Sequence, residues 1–128
     1  MSARIGPAQG QGQVKRGDIY WATLAPRSGS EQQGVRPVIV VSHDGFNLAP
    51  NWRSLIVVPI STSEAQAKRG PTVVPLPAGA GGLKKDSVAL CHQVTTLDRA
   101  KISTRRGILP AELLDQVGQG LKIAQDLP

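Results

Sequence analysis

Two runs of β-branched and aliphatic residues, 35–42 (VRPVIVVS) and 54–61 (SLIVVPIS), constrain this chain more than any other feature. Neither alternates apolar with polar residues, so each reads as a strand buried on both faces. Pro37 must lie near the start of its strand, because proline cannot donate to an interior ladder. Residues 18–24 (DIYWATL) give an earlier strand, and 72–76 (TVVPL) a short later one. Residues 86–91 and 92–97 read as one strand running into a bend or as two short strands, and 99–102 as a last short strand. Residues 25–34, 43–53 and 62–71 are polar and turn-rich, hence connections. PAGAGGLKK (77–85) is too rich in glycine for regular structure. Only the end is helical: Pro110 suits the first position of a helix, and Leu113, Val117, Leu121 and Ala124 recur along one face. Gly118 and Gly120 weaken that helix by ~1 kcal/mol each, so packing must hold it. With no strand–helix rhythm, the pattern predicts a mainly antiparallel β-barrel closed by a helix.

At 128 residues the chain is long enough for one ordinary domain. Residues 1–13 read as a flexible arm with little that could pack, and 14–128 as the domain. The longest apolar runs fall far short of the ~20 residues of a membrane span, and the N-terminus lacks a signal-peptide core, which predicts a cytoplasmic protein. The single cysteine, Cys91, excludes an intrachain disulfide and a cysteine-based zinc finger; in its apolar strand it reads as a buried, inert thiol. Fifteen Lys and Arg against nine Asp and Glu give a net charge of +6. Residues 1–106 hold fourteen of the basic residues against six acids, so the excess lies in the body and not in the last twenty-two residues. Nucleic acid is one partner that such a surplus suits; a merely basic soluble protein is the other reading.

No phosphate-binding glycine loop or paired-histidine metal spacing is present. His43 reads as a loop residue and His92 as structural, although His92 could approach a groove. RGD at 16–18 reads as a turn before the first strand. The segment 29–37 (GSEQQGVRP) carries more. Its glycines bracket Glu31, Gln32 and Gln33, and Arg36 is fixed at the start of a buried strand. The guanidinium suits a phosphate and stays charged at any relevant pH; a structural ion pair, with Glu31 for example, is the competing use. Ser61, Thr62 and Ser63 follow the second buried strand, and would meet Arg36 if the two strands are neighbours.

The blocks KRGDIYWATL (15–24), GSEQQGVRPVIVVS (29–42), IVVPIST (56–62) and GLKKDSVALCHQVTTLD (82–98), followed by the helix, resemble in that order the MazF/PemK toxins of toxin–antitoxin pairs. The resemblance covers about 14–127. It implies an SH3-like antiparallel β-barrel with added helices, of the CcdB/MazF kind. It further implies a sequence-specific, metal-independent endoribonuclease acting on single-stranded RNA, without cofactor, as a homodimer restrained by an antitoxin. The family's essential arginine falls on Arg36. Its essential hydroxyl, usually threonine, falls in register on Ser61, with Thr62 next along. Glu31 takes the place of the loop glutamate, and Gln93 matches the late block as a base or backbone contact. Gln32 and Gln33 in the first loop, and Lys68 and Arg69 in the second, are expected to meet RNA. Two other functions fit the same barrel: a toxin without nuclease activity that binds DNA gyrase, and a nucleic-acid-binding barrel without activity.

Overall fold

The computed structural model describes residues 13–24, 34–68 and 70–128. Among the described residues there are seven strands: β1 (Asp18–Leu24), β2 (Gly34–Val40), β3 (Ser54–Ser61), β4 (Val73–Leu76), β5 (Ser87–Leu90), β6 (Thr95–Asp98) and β7 (Ile102–Ile108). Single-turn helices α1 (Asp44–Asn47) and α2 (Glu64–Ala67) follow β2 and β3, and α3 (Ala111–Gln125) ends the chain. All ladders are antiparallel, in the order β4-β5-β3-β2-β1-β7. One edge of β3 is shared: Ser54–Val57 pair with β6, and Ile60–Ser61 with β5. Pro59 lies in the gap between these two ladders, where a residue without an N–H interrupts neither.

The unbroken apolar runs have the predicted cause. Ile39, Val58 and Ile60 enter one core together with Val117 of α3, while Val38, Val40, Leu55 and Val57 enter a second, with Tyr20 and Ile102. Both faces of the central strands are therefore buried, and alternation disappears. At the start of β1, the RGD segment makes a turn about Gly17 (φ +97°). Asp18 is buried there, accepting the Lys15 N–H at 2.9 Å and the Arg105 guanidinium at 3.1 Å.

Some expectations are corrected. Residues 99–101 form a 3₁₀ turn, not a strand, because Asp98 accepts the Ala100 N–H at 2.8 Å and caps it. Ile102 instead opens β7, which the sequence reading did not foresee. Pro110 is the N-cap of α3, not its first residue. Two short strands, β5 and β6, flank a 3₁₀ turn at Cys91–Gln93, which settles the open alternative there. The 43–53 and 62–71 connections each contain one helical turn, capped by His43 and Ser63 respectively.

The two glycines of α3 differ. A Cβ on Gly120 would come within 2.7 Å of Cys91 Sγ and 3.2 Å of Val74 Cγ2, so its absence lets the helix seat against the sheet. One on Gly118 would meet only Arg16 Nη2, at 3.8 Å. Burial pushes the Cys91 thiol up to about 11, so it is protonated and inert at neutral pH.

Candidate active site

β2 and β3 are neighbours, as the meeting of Arg36 with the hydroxyl cluster required. Their ladder pairs Val40 with Val57 and Val38 with Pro59. Extended two and three residues past its last pair, the same register would set Arg36 across from Ser61 and Val35 across from Thr62. β1 supports this end from the other side, with Trp21 paired to Pro37 and Ala22 to Arg36.

A cleft of about 350 Å³ opens here. Its apolar lining comes from Trp21, Val35, Pro37, Ile60 and Leu83. Four cationic residues line it as well: Arg36, Lys84, Lys85 and Arg106. Thr62 and Ser87 add hydroxyls, and among the described residues no carboxylate contributes to the lining. Positive charge gathered in a walled cleft attracts a polyanion and concentrates field lines. A second cleft, of about 560 Å³, shares Thr62 and Ser87 as a common border. It is mostly apolar, lined by Pro75, Leu76, Pro77 and Val88 among others, and Ser61 contributes to it.

Glycine contacts bring the lysines to Arg106. The 3₁₀ turn Ala80–Gly82 lies against β7 so closely that a Cβ on Gly82 would come within 2.5 Å of the Arg106 carbonyl oxygen. A Cβ on Gly107 would run into the Gly81 carbonyl. Backbone thus packs on backbone, and the chain leaves the turn with Lys84 and Lys85 beside Arg106. Asp86 is turned to structural use, its Oδ1 accepting the Ala78 N–H at 2.8 Å.

Residues 15–124 match the family described as PemK-like, MazF-like toxin of type II toxin–antitoxin system. The chain belongs to that family. The endoribonuclease EndoA of Bacillus subtilis (strain 168) is 38% identical over 112 residues, 87% of this chain and 93% of EndoA. The crystal structure of MazF (Form-I) from Deinococcus radiodurans superposes with a TM-score of 0.73 at 27% identity, covering 89% of this chain and 97% of that one. An endoribonuclease from a Mycobacterial species, solved in complex with its cognate antitoxin, shares the fold at a TM-score of 0.68 and 19% identity, over 90% and 95% of the two chains.

In this PemK-like, MazF-like toxin the expected site residues separate into groups. Arg36 and Thr62 line the cationic cleft together. Ser61 is buried, and its Oγ accepts the Ser63 N–H at 3.0 Å. Glu31, Gln32, Gln33 and Arg69 lie outside the described residues. Lys68 is the exposed C-cap of α2 and does not line the cationic cleft. Gln93 borders a smaller cavity of about 180 Å³ with Gln66, Thr72 and His92, sharing no residue with the cationic cleft. There the Thr72 hydroxyl and His92 Nδ1 are 2.6 Å apart, which commits that histidine nitrogen to a local bond. Phe46 and Trp52 pack on each other, ring centroids 4.8 Å apart, and neither lines the cleft.

The cleft residues missing from the sequence expectation are Trp21, Lys84, Lys85, Ser87 and Arg106. The only signal of the basic ones was two doublets, 84–85 and 105–106, which are far apart in the chain and are brought together by the glycine contact.

Proposed function

We propose that this chain is the toxin of a toxin–antitoxin pair and cleaves single-stranded RNA in the cationic cleft. The observation that carries the reading is the convergence of Arg36, Lys84, Lys85 and Arg106 on one cleft with the Thr62 and Ser87 hydroxyls. The family's description and the endoribonuclease relatives support it from outside the structure.

RNA brings its own nucleophile, the 2′-hydroxyl, so the protein need supply neither a nucleophile nor a metal. The 2′-oxygen attacks the adjacent phosphorus in line as the bond to the 5′-oxygen breaks. The 2′-hydroxyl gives its proton to a base, water included, and the departing oxygen takes one up. The products are a 2′,3′-cyclic phosphate and a 5′-hydroxyl. Arg36 remains charged and serves as an electrostatic stabiliser of the pentacoordinate phosphorus, not as a base. A hydroxyl from Ser61 or Thr62 donates to the same oxygens, with Ser61 favoured by its register position opposite Arg36. Glu31 is the loop acid in this scheme. Gln32, Gln33, Lys68, Arg69 and Gln93 are contacts for RNA around the cut. The active form is a cytoplasmic homodimer of a single domain following an N-terminal arm, and the cognate antitoxin restrains it.

Replacing Arg36 with alanine tests the reading. The expected result is loss of cleavage by at least ~10²-fold, the scale on which removal of one transition-state donor acts, with an unchanged melting transition. Wild-type cleavage by the folded Arg36→Ala protein would overturn the assignment. A gyrase-directed toxin or a passive RNA-binding barrel would leave RNA intact in the wild-type protein as well.

A further inference from the structure

One side chain in the cleft is held for contact and has an unmet bond. The Arg106 guanidinium carbon lies 4.8 Å from the centroid of the Trp21 ring, a cation–π arrangement that orients its planar fork. Its Nε is buried and, among the described residues, has no hydrogen-bond partner. A buried N–H of a charged group without an acceptor is costly, and such groups are normally satisfied. Arg105 next to it is spent on Asp18, whereas Arg106 faces the cleft with Lys84 and Lys85. The Gly81–Gly82 contact with β7 fixes these three cations as a unit, apart from the β2–β3 end that carries Arg36.

We propose that Arg106, oriented on Trp21 and joined by Lys84 and Lys85, binds a phosphate of the RNA backbone next to the scissile one. The two terminal nitrogens of Arg106 donate to that phosphate as a fork. The Trp21 indole is already covered by Arg106, so it serves as the platform for the arginine and not as a stacking surface for a base. This subsite fixes the register of the strand, which lets Arg36 meet one particular linkage. The inference rests on RNA being the ligand of the cleft, and does not require that cleavage occur there.

Binding of a short 2′-deoxy oligonucleotide, which lacks the attacking hydroxyl, tests it separately from cleavage. Arg106→Ala should raise Kd roughly tenfold and reduce the slope of log K against log salt by about 0.7, one single-strand phosphate contact. Arg106→Lys should keep the salt slope yet bind more weakly, because the ammonium loses the fork and the indole contact. Neutral methylphosphonates placed at each linkage in turn should reveal one position where the substitution and Arg106→Ala do not add. With RNA, the Arg106→Ala loss should fall on KM, whereas that of Arg36→Ala falls on kcat. Unchanged affinity and salt slope in Arg106→Ala, or additivity at every linkage, would overturn the subsite and leave the nuclease reading standing. Wild-type protein that binds but never cleaves would overturn the nuclease reading and leave the subsite standing. Failure to bind the oligonucleotide, with binding of an acidic peptide instead, would overturn both.

Discussion

Ser61 and Thr62 are adjacent hydroxyls in different surroundings. Ser61 ends β3, where the β2–β3 register extended past its last pair would set it across from Arg36, and its oxygen already accepts the Ser63 N–H, which leaves its O–H to donate. Thr62 is exposed and borders both clefts. On the register argument, Ser61→Ala should lower the single-turnover cleavage rate by roughly 10²-fold, while Thr62→Ala should cost less than about tenfold. Rapid-quench measurement of both variants decides the pair, and the reverse order would assign the donor to Thr62. Arg36 could be singled out from sequence because a charged residue at the start of a buried run is anomalous in itself. Lys84, Lys85 and Arg106 could not, since basic residues in glycine-rich or polar stretches are ordinary. Their meaning lies in a tertiary contact. Cys91 was readable for the opposite reason: its apolar neighbours define burial locally.

At the level of elements, sequence succeeds where burial imposes a pattern. β1, β2, β3 and α3 all contribute to the cores and were recognisable. β7 is an edge strand whose Ser103, Thr104 and Arg105 are exposed, so it carries charge where an apolar pattern would have announced a strand. Its pairing with β1 is also shifted at two places, which blurs any period. α1 and α2 have four residues each, too few to display a helical repeat. Within α3, propensity and packing oppose each other at Gly120. Alanine gains about 1 kcal/mol of helix propensity but drives its Cβ into Cys91 and Val74, and overpacking costs ~1–3 kcal/mol. Gly120→Ala should therefore destabilise the protein in urea, whereas Gly118→Ala, with open space before Arg16, should stabilise it by about 0.5–1 kcal/mol. Equal gains in both would mean that α3 does not seat on the sheet through Gly120.

For the molecule as a whole, the fold brings four of the basic residues, Arg36, Lys84, Lys85 and Arg106, to one cleft. The strand order unites β1, β2 and β3 at one end, and the glycine contact adds Lys84, Lys85 and β7 to it. Of the chain's few aromatic residues, Trp21 in this cleft supports an arginine. On the function proposed above, this cleft takes RNA phosphate and the substrate's own 2′-hydroxyl is the nucleophile. The chemistry of the cut ends examines that claim most directly. A long RNA digested by wild-type protein in the presence of a chelator should yield 5′ ends that polynucleotide kinase labels without prior phosphatase treatment, paired with 2′,3′-cyclic phosphates, and the Arg36→Ala protein should yield none. Ends bearing 5′-phosphate, or the same cuts made by Arg36→Ala, would contradict it.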